Sequence, residues 1–338
     1  MLISKANLLR ECARLLEKKR TTIAGIAAVE RFVTSAVAEA CHGDGSALFG
    51  RLLEAGGLLP QDLIAAVPRA EYAGPPAEAQ AERLRPFLRA QLFISLMAEL
   101  EDMLVEVARA ILLCFPGKLV VKQVAVSTVI EAHREGEVLD SLVDVELSAL
   151  FYAGPAKLRT RLEEVLSAPK LFVADWPQYT EMRARRDIAL HAGWKRNRIY
   201  LEKAGASQVP EDSVSLYPTD AYFSESCALG FRLVAKLQEH ILLKFKHCSP
   251  GHVFRNMWDQ SPLSRVMPFE EAWIGDDPPA PTEKALQWYW SSTERLLWEF
   301  FYHIYDGATS VDFVRISQRW PGNGARVVRE WLNAPFYL

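Results

Sequence analysis

Apolar residues along this chain recur at spacings of three and four, as they do in helices that bury one face. Residues 6–40 set the pattern with Leu8, Leu9, Ala13, Leu15 and Leu16, and CHGDGS then ends that region. A short helical pair is expected next, before the Gly-Pro-Pro within residues 71–80 interrupts helix. The longest regular segment is 85–117. Leu92, Leu96, Leu100, Met103, Leu104, Val107 and Ile111 give it a wide apolar face, Pro86 suits a first helical turn, and Pro116-Gly117 is a stop. The valine-rich run 119–137 reads as a loop or short strand followed by helix. LSALFYAGPAKLRTRLEEVLSA reads as two short helices broken at Gly154-Pro155.

An arginine-rich helix follows, then the polar linker QVPEDSVSLYPTD and a fourth long helix from Ala221 to about His247, with Ala228, Phe231, Leu233, Val234, Leu237, Ile241 and Leu242 in register. Residues 249–283 hold six of the chain's nineteen prolines and read as a connector. ALQWYWSSTERLLWEFFYHIYDG reads as one amphipathic aromatic helix, and two short helices around a PGNG turn finish the chain. Strand signals are weak and no repeat is present. The expected fold is therefore all-α, in three parts: an N-terminal helical region (1–80), a helical bundle (85–248), and a proline-rich connector with aromatic helices (249–338).

Composition narrows the class. The 338 residues are half hydrophobic and 24% charged, which is globular. A net charge of -3 excludes a global polyanion-binding bias, so any basic surface must be local. The most apolar run, AQLFISLMA, is closed by Arg89 and Glu99 and falls far short of a membrane span, so no membrane partner is expected. The N-terminus breaks its apolar residues with charges and reads as an amphipathic helix, not a signal peptide. Cys12, Cys41, Cys114, Cys227 and Cys248 are scattered, with no C-x-x-C, as expected of reduced thiols in a cytoplasmic protein.

Charge reverses locally between residues 181 and 203, where seven Lys/Arg face three acids. A polyanion suits that stretch. Arg183, Arg185, Lys195, Arg196 and Arg198 are candidate RNA contacts, and Trp194 can either stack on a base or anchor the turn that Gly193 opens. Within the stretch, Arg186, Asp187 and His191 carry the chemistry. Histidine takes and gives protons near neutral pH, and a permanently charged guanidinium stabilises a phosphorane-like transition state. Together they suffice for attack of a ribose 2′-hydroxyl on its own phosphate, a reaction closed to DNA. Asp187 can orient either partner. Arg186 and His191 stand about 140° apart around a helix axis, so a shared site makes more sense if two such helices meet. Arg185 offers a second register, one residue longer.

The run Arg186-Asp187-Ile188-Ala189-Leu190-His191, with Ala-Gly-Trp after it and Tyr-Leu-Glu-Lys-Ala-Gly downstream, resembles the HEPN superfamily. The segment 85–115 with its ELED is similar to that family's first helix, and 221–247 to its last. The resemblance covers roughly 85–248. It implies a HEPN-type helical bundle and a metal-independent endoribonuclease that needs no cofactor. It also implies a homodimer with two motifs facing across a cleft, and products ending in 2′,3′-cyclic phosphate and 5′-hydroxyl. In this chain Arg186 would stabilise the transition state, Asp187 would support it, and His191 would be the acid-base. Family members are often toxins or antiviral effectors that cleave tRNA or other RNA, some beside an antitoxin or defence partner. This chain has Asp after the Arg, where Asn is frequent, and Ala after the His, where a polar residue is frequent. A catalytically inactive HEPN-type module binding RNA, nucleotide or protein is the alternative, and a scaffold that docks an acidic antitoxin is a third.

Other constellations carry less. His240, His247 and His252 lack zinc-ligand spacing, and His133 with Glu137 straddles Gly136, so no metal is expected. PGNGAR lacks the strand and Lys-Ser/Thr of a phosphate loop, and Cys41-His42 is no more than a turn. Trp288, Trp290, Trp298, Phe300, Phe301 and Tyr302 are expected in a core or dimer seam. ELED (99–102) reads as a solvated strip, with Glu99 or Glu101 as the alternative ion-pair partner of the motif arginines.

Overall fold

A computed structural model describes residues 5–42, 77–120, 138–204, 215–320, 322–333 and 335–338. The helical pair expected within 43–76, the run 121–137 with His133 and Glu137, and the first part of the polar linker lie outside the described residues. The fold is all-α: α1 (Lys5–His42), α2 (Ala77–Cys114), α3 (Val138–Tyr152), α4 (Pro155–Leu166), α5 (Trp176–Ala192), α6 (Arg198–Ala204), α7 (Asp220–Lys244), α8 (Pro250–Gln260), α9 (Phe269–Ala272), α10 (Glu283–Gln287), α11 (Ser292–Asp306), α12 (Phe313–Arg319) and α13 (Asn323–Asn333). Among the described residues, no helix is long and apolar enough to cross a membrane.

Most expected helices appear where the periodicity puts them, and three readings need correction. Pro86 is not in a first turn. It lies inside α2, which starts at Ala77 because Ala, Glu, Gln and Arg propagate helix upstream of it. Pro86 lacks an N–H, so α2 forgoes one rung of its ladder there.

The second correction concerns 249–283, which is packed structure rather than connector. Its prolines start elements instead of breaking them. Pro250 opens α8 behind Ser249, whose hydroxyl accepts from the His252 N–H, and Pro262 opens a 3-10 turn at Pro262–Arg265. Strands β1 (Trp273–Ile274) and β2 (Ala280–Pro281) pair antiparallel, with Trp273 opposite Pro281. A Cβ at Gly251 would run into the Asp276 carbonyl, so glycine alone fits where α8 meets this hairpin loop.

Third, the single aromatic helix is two. Ser291 caps α11 with a complete capping box, its hydroxyl accepting from Glu294 N–H while the Glu294 carboxylate accepts from Ser291 N–H, so the chain turns between α10 and α11.

The chain divides into two compact units, Met1–Glu17 with Met103–Leu171 and Ala235–Leu338, and Lys18–Asp102 with Phe172–Val234. Three of the four boundaries fall inside α1, α2 and α7, and the fourth lies between α4 and α5. The first unit holds an aromatic core in which Trp290, Trp298, Phe300 and Phe301 are buried with Phe254, Trp258 and Trp273, and Tyr302 packs against it; Trp288 is 40% exposed, its ring 6.4 Å from that of Trp290. The second unit packs α5 on α6 through Ala184, Ile188, Tyr200 and Ala204, and Leu216, ahead of α7, joins the same cluster. It also buries cations with partners: Lys19 bonds Glu99 at 2.5 Å and Asp102, and Arg89 bonds Glu30 at 3.0 Å and Asp220. Burial opposes the charge on Lys19, but its bonds to Asp102 and Glu99 win and raise its pKa.

Candidate functional site

α5 carries the motif and stops where the sequence says it should. Gly193 adopts a left-handed conformation (φ 56°) that ends the helix without a side-chain penalty. Trp194 follows with its N–H on the Ile188 carbonyl at 3.3 Å, while its own carbonyl accepts from Leu216 at 2.9 Å. The Trp194 ring is buried, stacks on Tyr217 at 5.0 Å and packs against Phe93. Of the two roles open to Trp194, the turn anchor is therefore the one that fits. Its ring has no free face for a base, and its RNA-contact assignment is corrected.

The helix presents two buried faces. On one, Glu181 and Arg185 form an ion pair at 2.8 Å four residues apart, and Glu181 also accepts from the hydroxyls of Tyr200, at 2.5 Å, and Tyr222. The Arg185 guanidinium lies over the Tyr222 ring, 3.7 Å from its centre. Arg185 is thus committed to the interior. Its reading as an RNA contact is corrected, and with it the alternative register. Burial, helped by the Glu181 charge, holds the Tyr200 and Tyr222 phenols above their ordinary pKa.

On the other face, Glu101 of α2 receives Arg183 at 3.1 Å and Arg186 at 2.7 Å. The ion-pair reading of ELED holds for Glu101, whose side chain is only 18% exposed, so the solvated-strip reading fails there. Glu99 turns instead to Lys19. Arg186 also stands 3.2 Å from Asp187, and Asp187 bonds Lys203 at 2.8 Å. His191, in the last turn of α5, is exposed, as are Lys195 and Arg198; Arg196 is half-buried, and Arg198 pairs with Glu202 at 2.8 Å. Arg186 is held in a cage of carboxylates while the imidazole faces solvent.

Counting charge along the sequence overstated the basic surface, because Glu101 lies 85 positions from Arg186. The tyrosines were not singled out either. Glu181 and Arg185, spaced by four, were the one local signal for that cluster. Elsewhere, His240 bonds the Leu166 carbonyl at 2.9 Å and His252 bonds Ser249 at 2.9 Å, which are structural roles. Among the described residues, no group of three or more His, Cys, Asp or Glu side chains stands where it could hold a metal. Burial pushes the Cys12 thiol up to about 12 and the Cys227 thiol up to about 11, which makes both poor nucleophiles. No family model, curated protein or solved structure matches the chain.

Proposed function

We propose that the chain is a metal-independent endoribonuclease of HEPN type, a cytoplasmic homodimer acting as a toxin or anti-phage effector on RNA such as tRNA. One observation carries the reading: an exposed imidazole, His191, stands five residues beyond a guanidinium, Arg186, that two carboxylates hold in place. His191 takes the proton of the 2′-hydroxyl, and the 2′-oxygen attacks the adjacent phosphorus. The P–O5′ bond then breaks and the 5′-oxygen leaves with a proton given by a His191 imidazolium of the shared site, giving the 2′,3′-cyclic phosphate and a 5′-hydroxyl. Arg186 neutralises charge that grows on the phosphoryl oxygens, and Asp187 fixes its orientation. The two side chains diverge on one helix, so a second copy of α5 completes the site. An antitoxin or defence partner would dock on the same exposed surface.

A second reading, a catalytically silent HEPN-type module binding RNA, nucleotide or protein, is favoured by one fact: Glu101 engages both Arg183 and Arg186. One experiment separates the two. RNA cleavage by the purified chain is measured in EDTA and compared with His191→Ala. The proposal expects cleavage that survives chelation and falls by about 10²–10⁴-fold in the variant, with folding unchanged because His191 is exposed. Equal RNA binding by both proteins without cleavage would establish the silent module, and cleavage only with added metal would sink the chemistry.

A further inference from the structure

Around Glu101 the geometry leaves buried donors unused. Tyr179, Arg183 and Arg186 occupy positions i, i+4 and i+7 of α5 and share one face. Glu101 Oε1 accepts from Arg186 Nη2 at 2.7 Å and stands 3.1 Å from Arg183 Nε, so one carboxylate oxygen ion-pairs with both arginines. Tyr179 is fully buried and its hydroxyl makes no hydrogen bond; nor does Arg186 Nε, although Asp187 Oδ1 is 3.2 Å away. Burial and then the Glu101 charge raise the Tyr179 pKa against the pull of Arg183 and Arg186, so the phenol feels all three groups and stays a donor. A buried hydroxyl without an acceptor costs about 1–3 kcal/mol, so something must repay its position. A carboxylate oxygen is a poor match for two guanidinium forks and a hydroxyl. A tetrahedral phosphate oxyanion, with at least two oxygens to share, matches them well.

We propose that Tyr179, Arg183 and Arg186 form a seat for a phosphate oxyanion, which Glu101 closes by standing in for the ligand. Loading the seat exchanges one anion for another, so the two guanidiniums remain compensated throughout. That RNA supplies the phosphate rests on the nuclease reading; the seat itself does not.

The test uses the full chain labelled with 3-fluorotyrosine, the Tyr179 resonance being assigned by its absence in Tyr179→Phe. Inorganic phosphate is titrated at constant ionic strength into wild type and Glu101→Gln. The seat predicts a saturable shift at Tyr179, about tenfold tighter in Glu101→Gln than in wild type, and about tenfold weaker again when Arg183→Gln is added. A Tyr179 resonance indifferent to phosphate in folded Glu101→Gln overturns the proposal. If that variant does not fold, the wild-type titration decides: a saturable shift supports the seat and none overturns it. The two readings fail separately. Phosphate bound without RNA cleavage removes the nuclease and keeps the seat, whereas RNA cleavage with an unresponsive Tyr179 removes the seat and keeps the nuclease.

Discussion

Around Trp258, rings meet edge to face: Trp273 at 5.9 Å, Trp290 at 6.5 Å, Trp298 at 6.1 Å and Phe301 at 5.0 Å, with the indole N–H on the Met267 carbonyl at 3.1 Å. Around Glu181 the buried groups are polar, and one carboxylate gathers a guanidinium and two phenols. Both neighbourhoods exclude water, but by different physics. The aromatic core gains free energy in proportion to apolar area, with ring geometry adding a smaller increment. The carboxylate cluster spends most of its electrostatic attraction on desolvation, and what it gains is orientation: it fixes the roll of α5. Stability should therefore be concentrated in the first neighbourhood, and the pose of the motif helix in the second.

The largest expected effect tests the first half of that contrast. Trp258→Ala removes the hub of the cluster and leaves a cavity that rigid rings cannot refill, for a loss of about 3–5 kcal/mol. Denaturant unfolding measures it. A loss below about 1 kcal/mol would mean the core collapses around the gap, and the contrast with the polar cluster would fail.

Glu181→Gln is expected to cost about 3 kcal/mol, because it leaves the Arg185 charge buried without its counter-ion. The sharper comparison is Glu181→Leu with Arg185→Met. For an isolated buried pair such a swap is often neutral. Here Tyr200 and Tyr222 lose their acceptor, so the double variant should stay at least about 1 kcal/mol below wild type, and adding Tyr→Phe at both positions should recover it. Full recovery in the double variant alone would show that the phenols contribute nothing.

The two phenols on Glu181, together with Tyr179 on the opposite face of α5, set an alkaline limit. Burial raises the Tyr179, Tyr200 and Tyr222 pKa values above the ordinary value of about 10. Their stabilising contribution is complete below that value. Above it the unfolded chain releases phenolic protons while the folded chain keeps them, so stability falls as pH rises, by about 1.4 kcal/mol per pH unit for each such tyrosine, until the folded values are reached. Absorbance near 295 nm should show Tyr179, Tyr200 and Tyr222 ionising only with unfolding. Tyr179→Phe should flatten the alkaline slope by one tyrosine's share; an unchanged slope would place its phenol in contact with water.

How much of this was legible in the sequence depends on distance along the chain. Helices are local, and α5, α7, α12 and α13 were readable from their period and stops. The error over 249–283 came from reading proline as a breaker, when Pro250 and Pro262 sit at first turns, where no N–H is needed. The site was half legible. Arg186, Asp187 and His191 stand in one run, but Arg186's counter-ion comes from α2 and the Glu181 phenols from α6 and α7. A charge count along residues 181–203 cannot see a carboxylate delivered by another helix. Trp194 failed for the same reason: its partners Phe93 and Tyr217 are distant or beyond the turn.

The smallest expected effect concerns the edge of the aromatic core, where polar and apolar contributions meet in one residue. Ser291 satisfies the Glu294 N–H, and Glu294 returns the bond to Ser291, so the first turn of α11 does not fray and the rings of Trp298 and Phe301 are delivered in register. Ser291→Ala removes one side of that exchange without touching a ring, for a loss of about 1 kcal/mol in denaturant unfolding. Ser291→Asp should restore it, because a carboxylate at this position accepts the same N–H and faces the positive end of the helix dipole. If alanine costs nothing, packing alone sets the start of α11, and the aromatic neighbourhood owes nothing to hydrogen bonding at its edge. If alanine costs as much as Trp258→Ala, the cap is holding the rings in place, and apolar area is the wrong measure of what stabilises that core.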